Sequence, residues 1–177
     1  MAKILVFAGS NSSASINYEL VKYTASIIEN HDIQLLNMAN YPFALYSEDI
    51  EKKEGYSNSL VELKNDIQNA DGIILAVNEH NGNPSAYFKN ILDWLSRLER
   101  KFMSETKVLL MSTSPGKRGG IGALEIVNTM LPRFGAEIVT TFSLPSFHDN
   151  FSPSKGISDT ELSDIYEKAL EAFLNSL

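Results

Sequence analysis

The sequence predicts an α/β protein built on a doubly wound, five-stranded parallel sheet of order 2-1-3-4-5, with helices on both faces. Short continuous apolar runs, which suit strands buried on both sides, alternate with longer segments whose apolar residues repeat every three or four positions. Alternating strand and helix gives a parallel sheet, and right-handed crossovers with five strands favour that order. The chain has 177 residues, 44% of them hydrophobic. That is enough for one domain spanning residues 1–177, with a core that needs no disulfide or metal staple.

The first strand is read at Lys3 to Ala8, a run too apolar to alternate. A helix from about Ser15 to Asn30 follows, its inner face supplied by Leu20, Val21, Ala25, Ile27 and Ile28. Ile33 to Met38 is a weaker strand. Leu60, Leu63 and Ile67 mark a helix over Ser57 to Asn69, and Gly72 to Val77 is a third strand of the buried type. The next helix is expected to open with Asn83 as N-cap and Pro84 at N1, where a missing N–H costs nothing. Its apolar positions are Phe88, Ile91, Leu92, Leu95 and Leu98. Lys107 to Met111 is the fourth strand, followed by a helix from Ile121 towards Met130 that ends around Pro132 to Gly135. Ala136 to Phe142 alternates more and is placed nearer an edge. The last helix is expected to start with a Ser158–Glu161 capping box and to carry the stripe Leu162, Ile165, Tyr166, Ala169, Leu170, Phe173 and Leu177. Two connections, Ala39 to Tyr56 and Leu144 to Ile157, are long enough to serve as lids or interface segments.

Composition narrows the function. Fifteen Lys and Arg against 22 Asp and Glu leave a net charge of −7, so the chain lacks a basic footprint for nucleic acid. Cysteine is absent, which excludes a thiol nucleophile, a thiolate metal site and a disulfide framework, and fits a reducing cytosol. The apolar run Ile4 to Ala8 is shorter than the roughly 7–15 residues of a signal segment. No stretch approaches the ~20 apolar residues of a membrane span. A cytoplasmic protein with no membrane partner is expected. Of the three histidines, His31, His80 and His148, none has a metal-ligand neighbour at helical spacing, so no metal site is expected.

A doubly wound sheet binds its ligand beyond the carboxyl ends of the strands, which singles out three loops. The first is Gly9-Ser10-Asn11-Ser12-Ser13-Ala14-Ser15-Ile16-Asn17. It joins a buried strand to a helix N-terminus, where backbone N–H groups and the helix dipole favour an anion. It lacks the glycine pattern of an NTPase or dinucleotide loop, so it reads as a site for a phosphate monoester on a cofactor, or as a Ser-rich turn that caps a helix. The second is Asn78-Glu79-His80-Asn81-Gly82-Asn83-Pro84, which gathers amides, a carboxylate and an imidazole. Gly82 permits close approach to a flat ligand. His80 reads as a packing group, a ligand contact or a general base, without a Ser or Cys to complete a nucleophilic relay. The third, Ser112 to Gly122, sets glycines around Lys117 and Arg118, which suits an electron-rich heterocycle, a second phosphate or simple solvation.

Together these loops resemble the NADPH-dependent FMN reductase family of flavodoxin-like quinone, azo-dye and chromate reductases. Gly9, Ser10, Ser15 and Asn17 stand in register with the family's opening Gly-Ser-x-Arg-x-x-Ser-x-Asn, with Ser12 in place of the arginine. Asn78-Glu79-His80-Asn81-Gly82, with Phe88-Lys89-Asn90-Ile91-Leu92-Asp93-Trp94 downstream, is similar to Pro-Glu-Tyr-Asn-Gly followed by Leu-Lys-Asn-x-x-Asp-Trp. Pro115-Gly116-Lys117-Arg118-Gly119-Gly120 resembles Ser-x-Gly-x-x-Gly-Gly, and Leu45-Tyr46-Ser47-Glu48-Asp49 is similar to the acidic segment after strand two.

The resemblance implies an FMN-dependent NAD(P)H oxidoreductase that passes hydride through bound FMN to a small acceptor, such as a quinone or azo compound, in a ping-pong cycle. It implies a flavin site formed by Ser10, Ser12, Ser15, Ile16 and Asn17 at the phosphate. Asn78, Glu79, His80, Asn81 and Gly82 would lie along the ribityl chain and ring edge, and Ser114, Gly116, Lys117 and Gly119 near the far side of the ring. No protein side chain need act as the catalytic group, since the flavin carries the hydride. An exposed ring also implies a homodimer or homotetramer, with Asp93, Trp94, Leu95 and Arg97 as interface candidates or as ordinary packing. Two other readings use the same fold: a flavodoxin-type electron carrier, and a flavin-free regulatory module.

Overall fold

The computed structural model describes residues 1–177. Its elements are β1 (Lys3–Ala8), α1 (Ile16–Ile27), β2 (Asp32–Leu36), α2 (Glu48–Glu54), α3 (Asn58–Gln68), β3 (Gly72–Val77), β4 (Glu79–His80), β5 (Asn83–Pro84), α4 (Ala86–Leu98), β6 (Lys107–Thr113), α5 (Ile121–Met130), β7 (Glu137–Leu144), α6 (Phe147–Asn150), β8 (Phe151–Ser152), β9 (Gly156–Ile157) and α7 (Thr160–Leu174). Five strands form one sheet of order β2-β1-β3-β6-β7, every neighbouring pair parallel. This is the flavodoxin-like 2-1-3-4-5 order. No helix is long and apolar enough to cross a membrane.

The continuous apolar runs are explained by what covers the sheet. Alternate strand residues point to opposite faces. Leu5, Phe7, Ile73, Leu75, Val108 and Leu110 face α3, α4 and α5, whose Leu63, Ile67, Ile91, Leu95, Leu124 and Val127 complete one core. Ile4, Val6, Ile74, Ala76, Leu109 and Met111 face α1 and α7, with Leu20, Val21, Leu170 and Phe173. Both faces exclude water, so neither can be polar.

Three helix boundaries differ from the sequence expectation, each for a local reason. Helix α4 is capped by Ser85, whose Oγ accepts from the Phe88 N–H at 3.1 Å. Asn83 and Pro84 do not open it, because they fold back as β5 against β4 across the Asn81-Gly82 turn. Both turn residues have positive φ, 53° and 75°, the conformation that two-residue hairpins demand. Helix α7 is capped by Asp159, which accepts from the Leu162 N–H at 2.9 Å; Ser158 instead donates to the Asp149 carbonyl, so there is no Ser158–Glu161 box. Helix α1 ends at Ile27, with Asn30 in the left-handed region at φ 64°. The long connections hold structure of their own: α2, capped by Ser47, in one and α6 with the β8–β9 hairpin in the other.

The first of these connections is strapped to α4. Trp94 Nε1 and Asn90 Nδ2 both donate to the Ala44 carbonyl, at 2.8 and 2.9 Å, and Asn90 Oδ1 accepts from the Tyr46 N–H at 2.7 Å. Tyr46 and Tyr56 stand edge-on to Trp94 and donate to the two oxygens of Glu51, at 2.9 and 2.7 Å. Arg97 Nε adds a third bond to the same carboxylate at 3.2 Å. The hydroxyl of Tyr56, then that of Tyr46, holds the Glu51 carboxyl below its ordinary value. Trp94, Leu95 and Arg97 are therefore engaged within this chain, and Asp93 pairs with Lys89.

Candidate active site

The loops after β1, β3 and β6 meet in a cleft of about 240 Å³ at the carboxyl ends of the central strands. Its wall is formed by Ser10, Asn11, Ser12, Ala14, Ser15, Ile16, Asn17, Asn78, Glu79, His80, Thr113, Ser114 and Pro115. Nine of the residues read from sequence thus come together here. Asn81, Gly82, Gly116, Lys117 and Gly119 do not line the wall. Asn11, Ala14, Thr113 and Pro115 were inside the expected loops but not selected as contacts; Thr113 belongs to the end of strand β6, which runs two residues beyond its expected limit at Met111.

The first loop presents unspent donors. Ser10 and Ser15 are only 6% and 8% exposed. The Ser10 Oγ accepts from the Ser12 N–H, and the Ser15 Oγ caps α1 by accepting from the Tyr18 N–H at 3.2 Å. Neither hydroxyl donates to any protein acceptor, so two buried O–H groups remain for a ligand. The N-terminal amides of α1 add positive potential at the same place. No lysine or arginine lines the cleft. Gly9, just ahead of the loop's wall residues, cannot carry a side chain without displacing Phe88, because a Cβ there would lie 2.6 Å from the Phe88 ring.

Two of the expected contact residues that line the cleft also act as braces. Asn17 is 2% exposed, and its amide closes a pair of bonds with the Thr113 backbone: Nδ2 donates to the carbonyl at 3.1 Å and Oδ1 accepts from the N–H at 3.0 Å. It ties α1 to the end of β6. Glu79 Oε2 accepts from the Ala123 N–H at 3.1 Å, in the first turn of α5, where the Gly120 N-cap has no side chain to offer. Gly122 leaves room for this, since a Cβ there would sit 2.8 Å from Glu79 Oε2.

The second loop is the β4–β5 hairpin. Asn78 Nδ2 meets His80 Nε2 at 3.3 Å, while Asn78 Oδ1 is buried without a partner. The Asn81 and Gly82 amide N–H groups have no backbone acceptor. On the hairpin's other side lies a second groove of about 560 Å³, lined by His80, Asn81, Asn83, Pro84, Ala86, Lys89, Ile126 and Met130. The hairpin is a partition between the two.

A family model described as NADPH-dependent FMN reductase matches residues 2–149. A protein from Mycoplasma pneumoniae, named as a homologue of MG342, is 25% identical over 164 residues, 90% of this chain and 96% of its own. A quinone reductase of Escherichia coli K12 is 34% identical over 86 residues, covering 49% of this chain and 45% of its own. Among solved structures, the flavoenzyme NAD(P)H:(acceptor) oxidoreductase FerB of Paracoccus denitrificans superposes with a TM-score of 0.79 at 21% identity, over 99% of this chain and 96% of that one.

Proposed function

We propose, from the premise that this chain belongs to the NADPH-dependent FMN reductase family, that the cleft holds FMN with its phosphate in the first loop and serves a quinone or azo-type acceptor. FMN is the family's cofactor and NAD(P)H its donor. When bound, FMN supplies the hydride chemistry, so the cleft need provide neither a nucleophile nor a metal.

The observation that carries this reading is the complementary set of unsatisfied groups. The Ser10 and Ser15 hydroxyls and the α1 amides suit phosphate oxygens, and the orphaned Asn78 Oδ1 suits an N–H or O–H donor of the same ligand. A flavin mononucleotide offers both. Asn17 and Glu79 hold the walls at fixed spacing, and the unbonded Asn81 and Gly82 amides lie at the hairpin tip, where they suit the edge of a flat ring. The cleft is shallow and open, so donor and acceptor take turns in it, the donor leaving before the acceptor enters. A cytoplasmic, single-domain protein that associates with further copies of itself completes the proposal.

Titration of apoprotein with FMN, followed by quenching of flavin fluorescence, tests the reading. Stoichiometric binding, with NAD(P)H-driven reduction of a benzoquinone by the holoprotein, is expected. Failure to bind FMN leaves the flavin-free module; binding without quinone turnover leaves the electron carrier.

A further inference from the structure

The crest of the sheet is almost devoid of charge. The loops at the carboxyl ends of the five strands are residues 9–15, 37–47, 78–85, 114–120 and 145–146, and Lys117 and Arg118 are their only lysine and arginine. Both side chains are exposed and neither meets a carboxylate. The sole carboxylate in these loops, Glu79, is occupied by the first turn of α5.

The pair is also held in place. The Gly116 carbonyl on one flank accepts from the Gly119 and Ser146 N–H groups at 3.2 and 2.9 Å, and from the Ser114 hydroxyl at 3.3 Å. On the other flank the Gly119 carbonyl accepts from the Ser112 and Ser143 hydroxyls at 2.8 and 3.1 Å. Gly119 has φ 60°, and a Cβ there would meet Ser143 and the Leu144 backbone, so the turn has little freedom. Solubility would not call for a cation pair clamped on both sides. A ligand anion would.

We infer that Lys117 and Arg118 bind a phosphate of the dinucleotide donor at the mouth of the cleft, two residues beyond the wall at Pro115. The inference rests on the flavin reading of the cleft. The cofactor's own phosphate has neutral donors in the first loop, so the cations remain for a second phosphorylated molecule. A dinucleotide offers two sources of that phosphate: the diphosphate shared by NADH and NADPH, and the 2′-phosphate of NADPH alone. Guanidinium and ammonium groups serve either.

The test uses holoprotein carrying K117A/R118A and, as a size-conserving control, K117Q/R118Q. Dissociation constants for NADP⁺ and NAD⁺ are measured by calorimetry, the KM for each reduced nucleotide with an uncharged benzoquinone as acceptor, and the FMN affinity of the apoprotein. We expect NADP⁺ binding to weaken by about tenfold or more, with KM rising in parallel and FMN affinity unchanged. Loss for NADP⁺ alone assigns the 2′-phosphate; equal loss for NAD⁺ assigns the diphosphate. Wild-type affinity should also fall with salt, and that dependence should shrink in both variants. Unchanged nucleotide binding overturns the inference, and so does a loss confined to FMN. A wild-type protein that binds no FMN defeats the earlier reading instead.

Discussion

Replacing Asn17 by Ala should cost stability before it costs cofactor contact. The substitution removes both bonds to Thr113 and leaves a backbone N–H and carbonyl without those partners in a region closed to water. A buried polar group left unpaired costs about 1–3 kcal/mol, so the two together, softened by relaxation, amount to roughly 3 kcal/mol. For a chain of this length about 2–4 °C is lost per kcal/mol, which gives a fall in melting temperature of about 6–12 °C. FMN affinity should weaken as well, because the bond pair sets the separation between the first and third loops. Thermal unfolding of the apoprotein by circular dichroism, beside an FMN titration of the same variant, separates the two effects. Asn17→Asp keeps an acceptor for the Thr113 N–H but turns an oxygen towards the Thr113 carbonyl, and should not restore stability. An unchanged melting temperature together with lost FMN binding would refute the brace and make Asn17 a direct ligand.

Since no lysine or arginine lines the cleft, wild-type FMN affinity should be nearly flat with ionic strength; Ser12→Arg should tighten FMN by about tenfold at low salt and lose that gain at high salt, read by fluorescence titration. Gly119→Ala should destabilise by about 2 kcal/mol or more, because its φ of 60° and the Leu144 backbone 2.9 Å from the new Cβ both oppose it; denaturant midpoints check this. The Glu51 carboxyl is held low by its tyrosine partners, so the strap gains stability from it above the ordinary carboxylate range and loses it as pH falls through the lowered value. The single tryptophan, Trp94, should report that loss in an acid fluorescence titration, and Glu51→Gln should abolish the transition while far-ultraviolet dichroism stays constant.

The central sheet was legible because burial on both faces leaves strands such as Ile73-Ile74-Leu75-Ala76-Val77 no polar positions. The position of the cleft was legible too, since a switch point follows from strand order. What the sequence hid was the use of each polar side chain. Asn17 and Glu79 carry the same groups as a ligand contact would, and only tertiary placement shows that Thr113 and Ala123 have already taken them. The β4–β5 hairpin was obscured by Pro84, which imitates a helix start; the Asn81-Gly82 pair beside it was the stronger signal and pointed to a tight turn. Ser158 likewise matched a capping pattern one residue ahead of the cap in use.

The bonds among the crest loops close into a circuit. Ser85 reaches the Gly9 carbonyl, Asn17 reaches Thr113, Glu79 reaches Ala123, and Thr113 Oγ1 reaches the Leu144 carbonyl. Every loop that borders the cleft is thus fastened to another loop through a side chain turned inward. Asn11, Ser12 and His80 belong to none of these fastenings and face outward. Residues of the second kind are free to drift over evolutionary time without moving the ones that hold the shape. A lineage can therefore exchange an arginine for Ser12, or a tyrosine for His80, and retune what the cleft accepts while its outline persists. The circuit separates the part of the sequence that must be inherited intact from the part on which selection for new substrates can act.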